Sequence, residues 1–198
     1  MMKITGRMIV ALAATGLFLS LGIGSQAGKA SQSTPAVLPS ADALNVYRVI
    51  AAIETAEPLP AGQPLRRAAI SERDLNAYID FRRRDEKWEM MEELRLKLLD
   101  SQKLEGLFVL NLAGTSFASW LPDRATFLFA ARLESAAGRA RIQLDKLYVG
   151  QQPIQPAVIN LILMFASQKN SDVVSSLDEW VDLPIGIREL KTEKEKLT

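Results

Sequence analysis

Apolar positions along the chain change period several times, and each change marks an element. Val46, Val49, Ile50 and Ile53 recur at i, i+3, i+4 and i+7, one face of a helix that starts near Asp42. Ser40 stands where an N-cap belongs, and Pro58 and Pro60 stop the helix. Ser71-Glu72-Arg73-Asp74 has the form of a capping box with Asp in place of Glu or Gln. A second helix is therefore expected, with Leu75, Tyr78 and Ile79 as its stripe and a charged end over 82–87, continuing through Trp88 and Met91.

The period then shortens to two. Leu94, Leu96 and Leu98 interleave with Arg95 and Lys97, which predicts a strand with one wet face. Further strands are expected over 104–112, 125–134 and 139–149. They are separated by turns at 100–103 and 135–138 and by a loop around Leu121-Pro122-Asp123. Short connections between successive strands imply an antiparallel meander. After a turn over 150–155, Pro156 suits the first position of a helix that is apolar almost all round through 166. Ten helical residues span about 15 Å, too short to cross a bilayer, and such a helix should be buried on every side. A further helix over 172–180 and a last strand over 185–190 complete the domain. The expected fold class is α+β: an antiparallel meander sheet of four to five strands packed by helices, preceded by a signal peptide.

The N-terminus carries that signal. Lys3 and Arg7 are followed by an uncharged apolar run over 8–24, then by small residues at Ser25-Gln26-Ala27. Gly28-Lys29-Ala30 offers a second cleavage point. The competing reading is an uncleaved anchor, but the run is short of about 20 apolar residues and holds Gly16, Gly22 and Gly24. Expected organisation is a signal peptide over 1–27, a flexible linker over 28–40, one α+β domain over 41–190 and a charged tail over 191–198. The expected location is the periplasm or the cell exterior.

Charge and composition narrow the chemistry. The 24 basic and 23 acidic side chains of the 198-residue chain give +1. Removing Lys3 and Arg7 leaves 22 against 23, so the mature chain lies near −1 and offers no basic field for nucleic acid. The chain has no cysteine, so neither a disulfide nor lipid attachment at the cleavage site is available. It has no histidine, which removes Ser-His-Asp and Cys-His catalysis and the usual ligands of zinc and haem. An enzyme would need carboxylates, lysine or tyrosine converging in a cleft. The adjacent pairs Asp85-Glu86, Glu92-Glu93 and Asp178-Glu179 read as surface charge, because neighbours on an element do not face each other. Arg82-Arg83-Arg84 lies among acids and reads as a solvated helix face. No phosphate-cradling loop or EF-hand pattern occurs. The reading is non-enzymatic, with no catalytic residue, metal or cofactor.

The positive signal is an excess of apolar residues on the middle strands. Leu107 and Val109 alternate with Phe108, Leu110 and Leu112; Phe127, Phe129, Ala131 and Leu133 alternate with Leu128 and Ala130. On the next strand Ala140, Ile142 and Leu144 fall on one face and Leu147 and Val149 on the other. Something must cover both faces: helices making an ordinary core, an apolar ligand in a groove, or a protein partner. The candidate groove lining is Val109, Phe127, Phe129 and Tyr148 from the strands and Ile159, Ile162 and Phe165 from the following helix. Trp120 and Trp180 are candidate interfacial anchors or closers of a core edge.

The segment "ISERDLNAYI", a strand ending in "YVG", the run "VGQQPIQPAVINLIL" and "LPIGI" before a last strand resemble small exported bacterial proteins of the tubular lipid-binding (TULIP-like) kind. The resemblance covers residues 70–190. It implies an apolar helix packed on a curved sheet with a lipid or other apolar molecule between them, and no catalytic residues. The expected function is an exported binding module for an apolar ligand or lipid, with membrane proximity through the N-terminus. The alternative is an envelope protein-interaction or assembly domain with a filled core and no small-molecule ligand.

Overall fold

The computed structural model describes residues 38–55, 66–86, 88, 90–115, 119, 121–155, 157–158, 179–183 and 187–198. The expected signal peptide, most of the linker and nearly all of the helices expected over 156–166 and 172–180 lie outside the described residues.

Helix α1 spans Ala41–Glu54, and its cap is the expected one: the Ser40 hydroxyl accepts from the Ala43 amide at 3.2 Å. Ala43, Val46 and Ile50 are buried on its apolar face. Strand β1, Ile70–Ser71, leads directly into α2, Glu72–Asp85. The Ser71 hydroxyl accepts from the Asp74 amide at 3.1 Å and donates to the Asp74 carboxylate at 2.8 Å, so aspartate closes the cap from within the first turn. Leu75, Tyr78, Ile79 and Phe81 are buried.

α2 does not run on through Trp88 and Met91. It ends at Asp85, where Arg82, Arg83 and Arg84 crowd the last turn and complement the negative end of the helix dipole. The Trp88 amide then donates to the Arg83 carbonyl, and Met91 opens β2 as the cross-strand partner of Leu110. Met91 is only 1% exposed, so its apolar surface serves the sheet.

The main sheet is antiparallel with the order β2-β3-β4-β5-β6, and β7 adds to β5. Its strands are β2 Met91–Leu98, β3 Lys103–Asn111, β4 Arg124–Ala136, β5 Arg139–Val149, β6 Gln152–Ile154 and β7 Val181–Asp182. The four expected meander strands are present. The turn expected over 150–155 contains β6, which folds back on the end of β5. Residues directly opposite in the ladder point to one face. Met91, Leu94, Leu96 and Leu98 of β2 therefore share the inner face with Leu104, Phe108 and Leu110 of β3 and with Ala125, Phe127, Phe129 and Ala131 of β4. The Phe108 and Phe127 rings stack there with centroids 4.6 Å apart.

On β5 the expected alternation fails at one residue. Ala130 pairs with Lys146 and Ala131 with Leu144, so Asp145 is an extra residue in a bulge. Leu147 and Val149 therefore return to the inner face, beside Phe129 and Phe127, instead of opposing Ile142 and Leu144.

The far edge of β2 is closed by α2 side chains. The Leu96 amide donates to Asn76 Oδ1 at 2.8 Å, and Asn76 Nδ2 donates to the Leu96 carbonyl at 2.7 Å. The Leu98 amide donates to Glu72 Oε2 at 2.7 Å. Side chains here stand in for a neighbouring strand and remove an open pairing edge.

The C-terminus differs from its expected form. Residues 187–190 contain no strand; the Arg188 carbonyl accepts from the Gly138 amide, and the Leu190 amide donates to the Ser135 hydroxyl. Residues 179–180 are not helical. The charged segment expected as a tail instead forms a hairpin of β8, Thr192–Glu193, and β9, Lys196–Leu197, and β9 pairs with β1. Thr192 and Leu197 are buried while the charged positions between them face water, so the alternation of a half-wetted strand is hidden in a short charged stretch.

Candidate functional site

The sheet has two faces of different character. On the inner face α2 packs against β2, with α1 lying on α2, and Leu94, Phe108, Tyr78 and Ile79 are essentially removed from solvent. Toward β5 and β6 burial is less complete. Phe129, Leu144, Val149 and Ile154 lie half-buried against the core, with Val158 just beyond β6. Ladder register sets Phe127 beside Val149, Phe129 beside Leu147, and Leu147 beside Ile154, so these side chains form one apolar patch.

Phe129 is held there by a glycine. A Cβ on Gly106, its partner on β3, would lie 2.6 Å from Phe129 Cζ and 2.5 Å from the Arg95 carbonyl oxygen. The ring therefore lies over the backbone of Gly106, and only glycine permits so close an approach.

The outer face carries charge around an apolar row. Arg95, Leu107, Leu128, Tyr148 and Pro153 are successive cross-strand partners from β2 to β6. Leu128 is 43% exposed at the centre of this row. Arg132 grips Asp145 through three contacts of 2.9 to 3.2 Å, so the bulge residue finds its partner on β4.

The candidate lining residues divide between these faces. Phe127 is wholly buried in the stack with Phe108, and Phe129 borders the half-buried patch. Val109 and Tyr148 project from the opposite, outer face, so the strands do not bring these four together around one groove. The reason is register, because Val109 is opposite Thr126, and Tyr148 opposite Leu128, one residue out of phase with the two phenylalanines. Val109 is 3% exposed although it stands outside the core cluster. Ile159, Ile162 and Phe165 lie outside the described residues. Leu144 and Ile154 join the lining, although the sequence marks the first as an ordinary strand residue and the second as part of a turn.

Charged candidates resolve into local pairs. Arg82 bonds Glu86, Arg83 and Arg84 bond Asp80, Glu92 bonds Arg124, and Glu93 bonds Arg95. Asp178 and Trp120 are outside the described residues. Trp180 is partly exposed and lies against two guanidinium groups, Arg141 at 4.9 Å and Arg139 at 5.9 Å from its ring. Among the described residues no three acidic side chains are grouped to hold a metal ion. Burial pushes the Tyr78 hydroxyl well above the ordinary tyrosine value. Burial also works against the charge on Arg82, but the Tyr47 hydroxyl and the Glu86 carboxylate outweigh it and raise its pKa. Both shifts move these groups away from neutrality, the wrong direction for proton transfer near pH 7.

An open depression of about 540 Å³ lies apart from both faces, at the β4–β5 hairpin, lined by residues 135–138 with Arg188 and Glu189. No protein-family model matches the chain, and no curated protein or solved structure is significantly similar to it.

Proposed function

We propose that the chain is an exported, non-enzymatic binding module that holds an apolar ligand, or the acyl part of a lipid, against the inner face of β5 and β6. One observation carries this reading: Phe129, Leu144, Val149 and Ile154 form an apolar patch that is only half-buried, on a face otherwise sealed from water. Ligand sites are mostly apolar, with few polar groups. The chain leaves β6 beside this patch, and the half-buried Val158 packs against the same core. Export follows from the charged, apolar and small-residue order of the first 27 positions. The resemblance read in the sequence, which implies an apolar helix against a curved sheet with lipid between them, supports the same reading.

The test is purification of the full-length protein from a bacterial envelope without detergent, followed by native mass spectrometry and solvent extraction. A bound lipid or other apolar molecule, seen as added mass and recovered in the extract, is expected. A bare protein mass with an empty extract refutes the proposal and leaves the filled protein-interaction domain as the reading.

A further inference from the structure

We propose that the outer face of the sheet docks on the surface of an anionic phospholipid bilayer. The proposal does not rest on the inner-face ligand. Its basis is the arrangement of three neighbouring rows across the strands. The first is the apolar row centred on Leu128 and Tyr148. In the next, Lys97, Glu105, Ala130 and Lys146 are successive partners, and Lys103 pairs with Arg132 in the third.

Within these rows and the one beyond them, Arg95 is neutralised by Glu93, Arg132 by Asp145 and Arg141 by Glu134. Lys97, Lys103 and Lys146 have no carboxylate within ion-pair distance among the described residues, and Glu105 is the one acid left among them. The face therefore keeps a surplus of positive charge although the mature chain is close to neutral. Strand spacing puts Lys97 on β2 and Lys146 on β5 about 14 Å apart, with the apolar row roughly 7 Å along the strands. Lysine stems extend over apolar surface while their ammonium groups reach phosphate, and tyrosine favours the headgroup depth of a bilayer. A leucine 43% exposed at the centre of a sheet, with unpaired lysines on the next two rows to one side, fits a surface that is oily and negatively charged at once.

The test is co-sedimentation of the full-length protein with vesicles of phosphatidylcholine alone and with added phosphatidylglycerol. Binding is expected to the anionic vesicles, to fall with salt, and to weaken about fivefold for each lysine neutralised, so on the order of 25-fold for Lys97→Gln with Lys146→Gln. Leu128→Trp should gain a blue-shifted emission component on anionic vesicles. Val149→Asp, on the inner face, should leave vesicle binding unchanged while removing any bound apolar ligand, which separates the two proposals. Equal binding to both vesicle types, unaltered binding of the lysine variant, or no emission shift at position 128 overturns the assignment. Capture of position 128 by a protein in place of vesicles overturns it equally.

Discussion

Replacing Gly106 by alanine tests the packing of the inner face at its tightest point. The new methyl would meet two obstacles of different kinds. One is the Phe129 ring, with Cζ at 2.6 Å and Cε1 at 2.7 Å; the other is the Arg95 backbone oxygen at 2.5 Å. Non-bonded carbon atoms settle at about 3.5–4.0 Å, so the ring must withdraw by roughly 1 Å. The ring can swing, but the Arg95 carbonyl belongs to the β2–β3 ladder and cannot move without disturbing it. Overpacking of this sort costs about 1–3 kcal/mol, and the general advantage of alanine over glycine in a strand returns about 0.5–1 kcal/mol. A net loss of about 1–2 kcal/mol is expected, read from urea unfolding followed by circular dichroism with an unchanged slope. Adding Phe129→Leu should recover only part of the loss, because the carbonyl remains. Unchanged or higher stability in Gly106→Ala would refute the argument, and so would full recovery in the double variant.

Three further substitutions probe the frame that positions this face. Ser101 and Gln102 form the β2–β3 turn with φ of 60° and 61°, a left-handed conformation in which glycine is relieved of a side-chain clash; Gln102→Gly should raise stability by about 0.5–1 kcal/mol in the same urea assay. Asn76→Ala strips the Leu96 amide and carbonyl of their partners and should cost about 1–3 kcal/mol, with faster aggregation by light scattering as the β2 edge opens. The Tyr78 hydroxyl is buried with no hydrogen bond of good geometry, the Tyr47 hydroxyl being near it but poorly placed, so Tyr78→Phe should leave stability unchanged or raise it by up to about 1 kcal/mol; a clear loss would mean that the Tyr47 contact is a genuine hydrogen bond.

The parts of the fold visible in the residues are those governed by local rules. Ser40 and Ser71 announce their helices because a hydroxyl must satisfy an exposed amide at a helix start, and both do so. Leu94, Leu96 and Leu98 announce a strand because alternate side chains share a face, and all three are buried. What escaped was decided at longer range. Asp145 looks like any polar strand residue until Arg132, thirteen positions away, holds it outside the ladder and returns Leu147 to the inner face. Thr192 and Leu197 read as part of a charged tail until β1, more than a hundred residues earlier, supplies the partner strand. Hydrophobicity groups Val109 and Tyr148 with Phe127 because it carries no information about cross-strand register, which places them on the opposite face. Gly106 carries no apolar signal, and its importance appears only when Phe129 is placed on top of it.

Binding of a fluorescent fatty-acyl probe to the lipid-stripped, full-length protein tests the inner-face site most directly. Three proteins suffice: the native chain, Val149→Asp inside the half-buried patch, and Leu128→Asp on the outer face, each checked for native circular dichroism. Saturable binding by the native chain and by Leu128→Asp, lost in Val149→Asp, is the predicted result. No saturable binding by the native chain, or undiminished affinity in a folded Val149→Asp, would contradict it.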